Sequence, residues 1–382
     1  MRHSNTVSTL ICGIALSSAS WADSSWQDTL ASTKPLADVR LRYESHDSDN
    51  AFKTAHALTL RSRLGLESAS VAGFTALVEI EDVRALIDDY RPENSPYDIV
   101  ADPVNTEFNR VQLQYQVDGL TVTLGRQRIV LDNARFVGNV GWRQNEQTFD
   151  ALRVAYQLND AHIQYAFIDQ VNDILFASQD VSHHLFNVRY DGLPLGQLTG
   201  YAYLLKDDNT DANNNTVGGR FHGKHAVKDV SLLYSVELAT QQTDDFSANF
   251  IALEGGVLVN GVTLAIGHER LGSDDGEYGF QTPLATKHAF NGWADKFLGT
   301  PADGLTDTYL KVAGTAAGIH LLTFYHDYSA DSGNADKGSE INLQATKRFN
   351  KHYSAGVKYA NYRAGDSSFD TDKAWAWVQA NF

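Results

Sequence analysis

Arg40 and Arg42, and then Arg61 and Arg63, stand two residues apart in runs of alternating character. A guanidinium is always charged and offers five N–H donors in a planar fork, which matches a carboxylate in bidentate fashion. At a spacing of two, such groups share one face of a strand. The same parity carries Asp38, Glu44, Glu67, Glu79 and Glu81, and further along Arg110, Arg153, Arg189, Arg220, Lys311, Arg348 and Lys358, with Glu237, Glu254, Glu269 and Glu340 among the acids. The chemistry this suggests is recognition: a wet face of mixed charge whose arginines form a path for anions, with Glu79 and Glu81 aligning their neighbours. The opposing reading is that such a face carries mixed charge for hydration alone.

Arg126 and Arg128 break the pattern, because they share parity with the apolar Val122 and Leu124. Either Gly125 starts a bulge that turns them to the wet face, or the strand has already left the membrane; the bulge is the expectation for both, because Leu120–Leu124 alone is too short to cross. Arg135 and Arg143 follow in a polar stretch from Leu131 to Thr148, which either folds into the interior or lies on the surface.

Catalytic chemistry is not expected. The sequence has no Gly-x-Ser-x-Gly, no His-Glu-x-x-His and no cysteine cluster, so neither an enzyme nor a cofactor or metal site is expected. Asp207 to Asn215 is rich in Asp and Asn but lacks a Ca²⁺-ligand register.

The elements that position these residues are strands. Val111, Leu113, Tyr115 and Val117 alternate with Gln112, Gln114 and Gln116; Asp118-Gly119 then turns the chain into Leu120-Thr121-Val122-Thr123-Leu124. Asp-Gly between alternating runs is a hairpin signal. The unit recurs and yields about eighteen strands: 37–45, 56–68, 73–85, 109–117, 120–124, 149–157, 161–169, 184–191, 196–206, 214–223, 229–240, 248–259, 262–271, 307–315, 318–328, 340–349, 353–363 and 373–382. Connections after even-numbered strands are short and those after odd-numbered strands mostly long and polar. That rhythm belongs to an all-β, up-and-down, transmembrane antiparallel β-barrel, whose strands cross with about 9–11 residues. An Arg facing mid-bilayer costs roughly 2–4 kcal/mol, so the charged face is assigned to the lumen. No apolar run reaches the roughly 20 residues of a transmembrane helix.

Residues 1–22 read as a signal peptide, with an apolar core at 10–16, Ser20-Trp21-Ala22 as its cleavage site and the single cysteine, Cys12, inside it. Residues 23–382 are then the barrel, with 23–36 as a periplasmic lead-in. The net charge of −16, without a basic patch, argues against nucleic acid. Apolar residues alternate towards the terminal Phe382, which is an expected handle for the barrel-assembly machinery. An even strand number places both termini in the periplasm, and puts 85–108 and 272–306 outside the cell.

The chain resembles the alginate-export family of outer-membrane porins. The likeness rests on Leu124-Gly125-Arg126-Gln127, on Gly138 and Gly141-Trp142, on Thr148-Phe149-Asp150 and above all on a long loop. In that loop Thr282-Pro283-Leu284 precedes His288-Ala289-Phe290-Asn291-Gly292-Trp293-Ala294-Asp295, then Phe297-Leu298, Thr300-Pro301 and Gly304-Leu305. Similarity of layout runs from about Val39 to Phe382. The resemblance implies an eighteen-stranded monomeric barrel with an arginine-rich passage for an anionic polysaccharide. This chain is shorter than a dedicated exporter, and its inward glutamates dilute the positive lumen.

The expected function is therefore a bacterial outer-membrane porin, a passive channel for small anionic solutes such as uronate oligosaccharides, in contact with outer-membrane lipid and acting as a monomer. The rivals are a general-diffusion or cation-preferring porin, an outer-membrane enzyme, and a secreted protein that binds carbohydrate through Trp142 and Trp293.

Overall fold

The computed structural model describes residues 32–366 and 368–382. The expected signal peptide, with Cys12, and residues 23–31 of the lead-in lie outside the described residues. Eighteen antiparallel strands close into one barrel. They are β1 (Lys34–Ser48), β2 (Ala55–Glu67), β3 (Phe74–Asp89), β4 (Asn105–Val117), β5 (Leu120–Gln127), β6 (Thr148–Leu158), β7 (Ala161–Asn172), β8 (Ser178–Leu193), β9 (Gly196–Lys206), β10 (Asn213–Val227), β11 (Val230–Thr243), β12 (Ser247–Val259), β13 (Val262–Leu271), β14 (Leu305–Ala316), β15 (Ile319–Ser329), β16 (Asp336–Arg348), β17 (Tyr353–Arg363) and β18 (Thr371–Asn381). β1 begins at Lys34, inside the stretch expected as lead-in. Closure comes from β1 pairing with β2 on one side and with β18 on the other, from Asp38 opposite Asn381 to Ser48 opposite Thr371. A closed sheet leaves no open edge, which is what a strand protein in lipid requires.

Alternation decides which side each residue faces. Leu64, Leu66, Val78, Ile80, Leu253, Ile266, Leu310, Val357 and Val378 are all exposed on the outer wall. An apolar belt on this scale marks a membrane surface rather than one facing water. Arg40, Arg42, Glu44, Arg61, Arg63, Glu79 and Glu81 are buried on the inner wall.

Two connections fold into the barrel and fill much of it. The first, between β5 and β6, buries Ile129, Arg135, Val137, Arg143, Gln144, Asn145 and Glu146. The second, between β13 and β14, buries Phe280, Leu284, His288, Asn291 and Trp293, and holds the one helical turn among the described residues, Lys287–Ala289. The two loops hydrogen-bond to each other: Gly138 N donates to Leu284 O at 2.9 Å, Thr286 N to Ala134 O at 3.0 Å, and Gln147 Nε2 to Leu284 O at 3.1 Å. Phe136 packs between them and the wall, with ring centroids 5.2 Å from Tyr201, 5.3 Å from Phe250 and 6.0 Å from Phe280. Each such aromatic pair adds about 0.5–1.5 kcal/mol beyond its burial. The expectation that 272–306 lies outside is therefore corrected for its folded-in part, while Asp275 and Glu277 at its tip stay exposed. That loop carries Phe280, Leu284 and Trp293, which would be stranded in water, and the lumen is where they find cover. Of the 85–108 segment, Pro92, Glu93, Ser95 and Pro96 are exposed, while Tyr90, Asp98, Val100 and Asp102 are buried.

Candidate functional site: a lumen of paired charges

The inward arginines of β1 and β2 mostly hold the first loop in place. Arg40 Nε donates to Gln144 Oε1 at 2.9 Å, and its other nitrogens reach the carbonyls of Gly141 and Arg143. Arg42 meets Asp102, Glu44 and the Trp142 carbonyl. Arg61 pairs with Asp38, and Arg63 with Glu81 and, at 3.6 Å, with Glu146 of the loop. On the next strands Arg110 clasps Glu79 with two bonds of 2.9 and 2.8 Å. Arg128, just past the end of β5, reaches Glu146 at 2.6 Å and Glu79 at 3.3 Å. Glu79 and Glu81 thus neutralise and orient arginines, and most of the ladder's charge is spent on protein partners.

Arg126 is corrected. The register runs without interruption from Val111 opposite Arg126 to Arg126 opposite Asp150, so Arg126 shares the outer face with the exposed Val111 and Leu124. Gly125 adopts φ 107°, but no bulge flips the strand. Arg126 lies six positions above the turn at Leu120 and is held bidentately by Asp150 at 2.8 and 3.0 Å. A guanidinium near the membrane boundary costs only about 0–1 kcal/mol, so the pair can face outwards there.

The remaining sites split into two groups. Among the described residues Arg153 on β6 bonds Gln164 alone, and Arg189 on β8 is held by Asp191 at 3.0 and 3.2 Å. Arg348, on the inner face of β16, is exposed at the rim that carries the short turns. Arg220 and Lys311 line a cavity of about 270 Å³ together with Glu237, Glu254, Glu269, Asp307, Phe290, Trp293, Tyr309 and Phe324. Lys311 sits 3.3 Å from Glu254, and Arg135 of the first loop is clasped by Glu269 at 3.1 and 2.6 Å. Arg220 is held least: Glu237 is 3.6 Å away, and its buried Nε has no hydrogen-bond partner.

Lys358 on β17 has no carboxylate within ion-pair reach among the described residues. Its Nζ lies 4.3, 3.7 and 5.7 Å from the ring centroids of Trp142, Trp293 and Trp375, and 2.7 Å from His288 Nε2. His288 Nδ1 faces Asp295 Oδ1 at 2.6 Å. The network assigns the tautomer: Nδ1–H donates to Asp295, and Nε2 accepts from Lys358 Nζ. Burial, more than any neighbour, pushes the loop residue His288 down to about 3. Asp295 also takes Arg143 at 2.9 Å and Lys373 at 3.1 Å, so one loop carboxylate joins both loops to β18.

Sequence reasoning found the strand residues but missed Asp102, Gln144, His288 and Asp295, all loop residues whose partners lie far away in the chain.

The alginate export family matches residues 36–264, more than half of the chain. The chain belongs to the alginate export family. The match ends before the second inward loop. No curated protein matches the chain in sequence. Solved outer-membrane channels share the fold. Acinetobacter baumannii OccAB4 superposes with a TM-score of 0.73 at 13% identity, over 92% of this chain and 98% of that one. Pseudomonas aeruginosa OpdK, solved with vanillate, gives 0.71 at 14% identity over 91% and 98%. Pseudomonas aeruginosa OccK5 (OpdH) gives 0.68 at 13% over 93% and 99%. Family and fold are those of porins and transport channels.

Proposed function

We propose that this alginate export family member is a selective diffusion channel of the bacterial outer membrane for small ring-bearing anions, acidic sugars of the uronate class above all. The observation that carries the reading is Arg220, whose guanidinium is held by no hydrogen bond among the described residues, in a cavity also lined by Trp293, Tyr309 and Phe324. A guanidinium edge matches a carboxylate. Aromatic faces receive the apolar face of a ring, and Glu237 and Asn291 can accept from hydroxyls. OpdK, which shares the fold, was solved with an aromatic carboxylate. In this reading the short-turn rim and both termini face the periplasm, the outer belt meets lipid, Phe382 engages the assembly machinery, and the barrel works as a monomer without catalysis. The test is block of single-channel current by galacturonate. Arg220→Gln should weaken block by roughly tenfold or more, the worth of one charged hydrogen bond. Equal block by neutral galactose would sink the reading.

A general or cation-preferring porin is the second reading, favoured by the pairing of Arg42, Arg61, Arg63 and Arg110 and by four carboxylates around the cavity. Reversal potential in a salt gradient separates the two, and a wild-type preference for cations supports the second.

A further inference from the structure

The outer wall is not evenly covered. A groove of about 510 Å³ opens on it where β16, β17, β18 and β1 lie side by side. Register sets its lining in two cross-strand rows on the outer face. In one, Lys347 stands opposite Ala355, Ala355 opposite Val378, and Val378 opposite Leu41. In the next, Ala345 stands opposite Val357, Val357 opposite Ala376, and Ala376 opposite Tyr43. Residues directly opposite are neighbours, so three alanines share one patch with larger side chains around it. A methyl group stands there where the belt elsewhere carries Leu64, Leu253 or Leu310, and the wall is hollow.

Such a hollow calls for a filler. Its outward lining is apolar apart from Tyr43 and Lys347, and the Tyr43 hydroxyl is taken by His56 at 2.8 Å. A void forfeits the dispersion contacts of the atoms around it, and water is not held without polar partners. On a wall that faces hydrocarbon, the filler at hand is an acyl chain.

The charge at one end of the groove selects the kind of lipid. Lys347 stands one position before the end of β16, at the short-turn rim. Phe349, Tyr353 and Phe382 are exposed at the same rim. The Lys347 Nζ lies 5.8 Å from the Phe349 ring centroid, and the Tyr353 and Phe382 rings are 5.7 Å apart. Outward aromatics grouped in this way mark the level of the lipid headgroups. A lysine stem lies along the apolar wall and presents its ammonium at that level. The chain carries a net charge of −16, yet it has no acidic residue from Ile341 to Gly365. Lys347 and, in the turn that follows, Lys351 form no ion pair among the described residues. Two cations without an anion at headgroup level match a lipid phosphate.

We propose that this groove holds one acyl chain of a diacyl glycerophospholipid whose phosphate meets Lys347. The lipid lies across β18 and β1, the seam at which the barrel closes. This outer site is independent of the solute that the lumen passes.

The experiment takes the full chain, purified in detergent and freed of lipid. Dioleoyl phosphatidylglycerol is the probe, and dioleoylglycerol, which lacks the phosphate, is compared with it. Native mass spectrometry counts the lipids retained, and the heat-modified gel shift checks folding. Wild type should retain one phosphatidylglycerol per chain and less of the diacylglycerol. Ala376→Phe fills the groove with an apolar ring at a lipid-facing position and should abolish retention. Lys347→Gln should weaken it about fivefold, the effect of removing one cation from an anionic lipid surface. That residue is exposed, so the variant serves if Ala376→Phe fails to fold. Leu310→Phe, on the outer wall of β14 and outside the groove, should retain lipid as wild type does. No retained phosphatidylglycerol overturns the proposal. So does equal retention of the two lipids by wild type, or equal retention of phosphatidylglycerol by wild type and Ala376→Phe. Two chains per particle, falling to one in Ala376→Phe, would assign the groove to a second copy and overturn it as well.

Discussion

Arg143 of the first inward loop bonds both carboxylate oxygens of Glu44 on β1, at 3.1 and 3.0 Å, and both side chains are buried. The pair fastens a loop to the wall across 99 positions of sequence. Truncating one partner of a buried pair costs about 3–5 kcal/mol, because the other charge is stranded. Glu44→Gln is expected to lower the temperature of the gel shift and to raise single-channel conductance as the loop loosens. A lower transition temperature with unchanged conductance would mean that the latch stabilises the barrel without setting the passage.

Face decides which arginines affect ion selection. Arg63→Gln leaves Glu81 and Glu146 short of a cation inside the lumen and should move the permeability ratio towards cations. Arg126→Gln should move the ratio less, since that residue shares the outer face with Leu124 and is held bidentately by Asp150. Reversal potentials measured for both variants check the assignment. An equal shift for Arg126→Gln would place its side chain inside.

His288 makes the loop latch sensitive to acid. Its pKa is lowered to about 3 in the fold, mainly by burial, against 6.5 for a free histidine. The unfolded chain therefore binds more protons than the folded one between those values, so stability falls as pH drops from about 6.5 towards 3, by at most about 1.4 kcal/mol per pH unit from this group. Melting of wild type at pH 7.5 and pH 5 should show the drop, and His288→Asn should show less of it. Equal slopes would assign the acid sensitivity to other groups.

Several long loops expose their tips, Glu93 and Glu277 among them. A Glu-specific protease added to intact cells should cut after Glu93 or Glu277, both exposed, while trypsin should spare the bond after Lys287, next to the buried His288. Cleavage at the short turns alone, for example after Glu67, would turn the barrel over.

The fold was legible because the signals that build it are local. Alternation at Val111–Val117 and the Asp118-Gly119 turn need no knowledge of the rest of the chain. All eighteen strands follow from such patterns, and β9, β13 and β17 begin and end where the pattern does. Inward parity for Arg40, Arg63, Glu79 and Lys358 follows in the same way. What the lumen does with those charges was not legible. Whether Arg40 faces a solute or the carbonyl of Arg143 depends on a loop about 100 residues away, and nothing at position 40 encodes it. Arg126 was misplaced because the strand simply ends at Gln127, and a chain end and a bulge look alike in one dimension.

Closure of β1 on β18 also sets the order in which this protein can be made. Ser48 and Thr371 bond at 2.8 Å across 323 positions, and Asp38 accepts from Gln379 at 2.8 Å across 341. Non-local contacts carry their loop-closure entropy before they return any stability, which slows folding. The first strand to leave the ribosome is thus among the last to be completed. Until β18 arrives, one edge of β1 stays open, which makes the half-built sheet a template for any other unpaired strand. A half-built sheet of this topology is therefore most open to wrong pairing along β1, the edge that closes last.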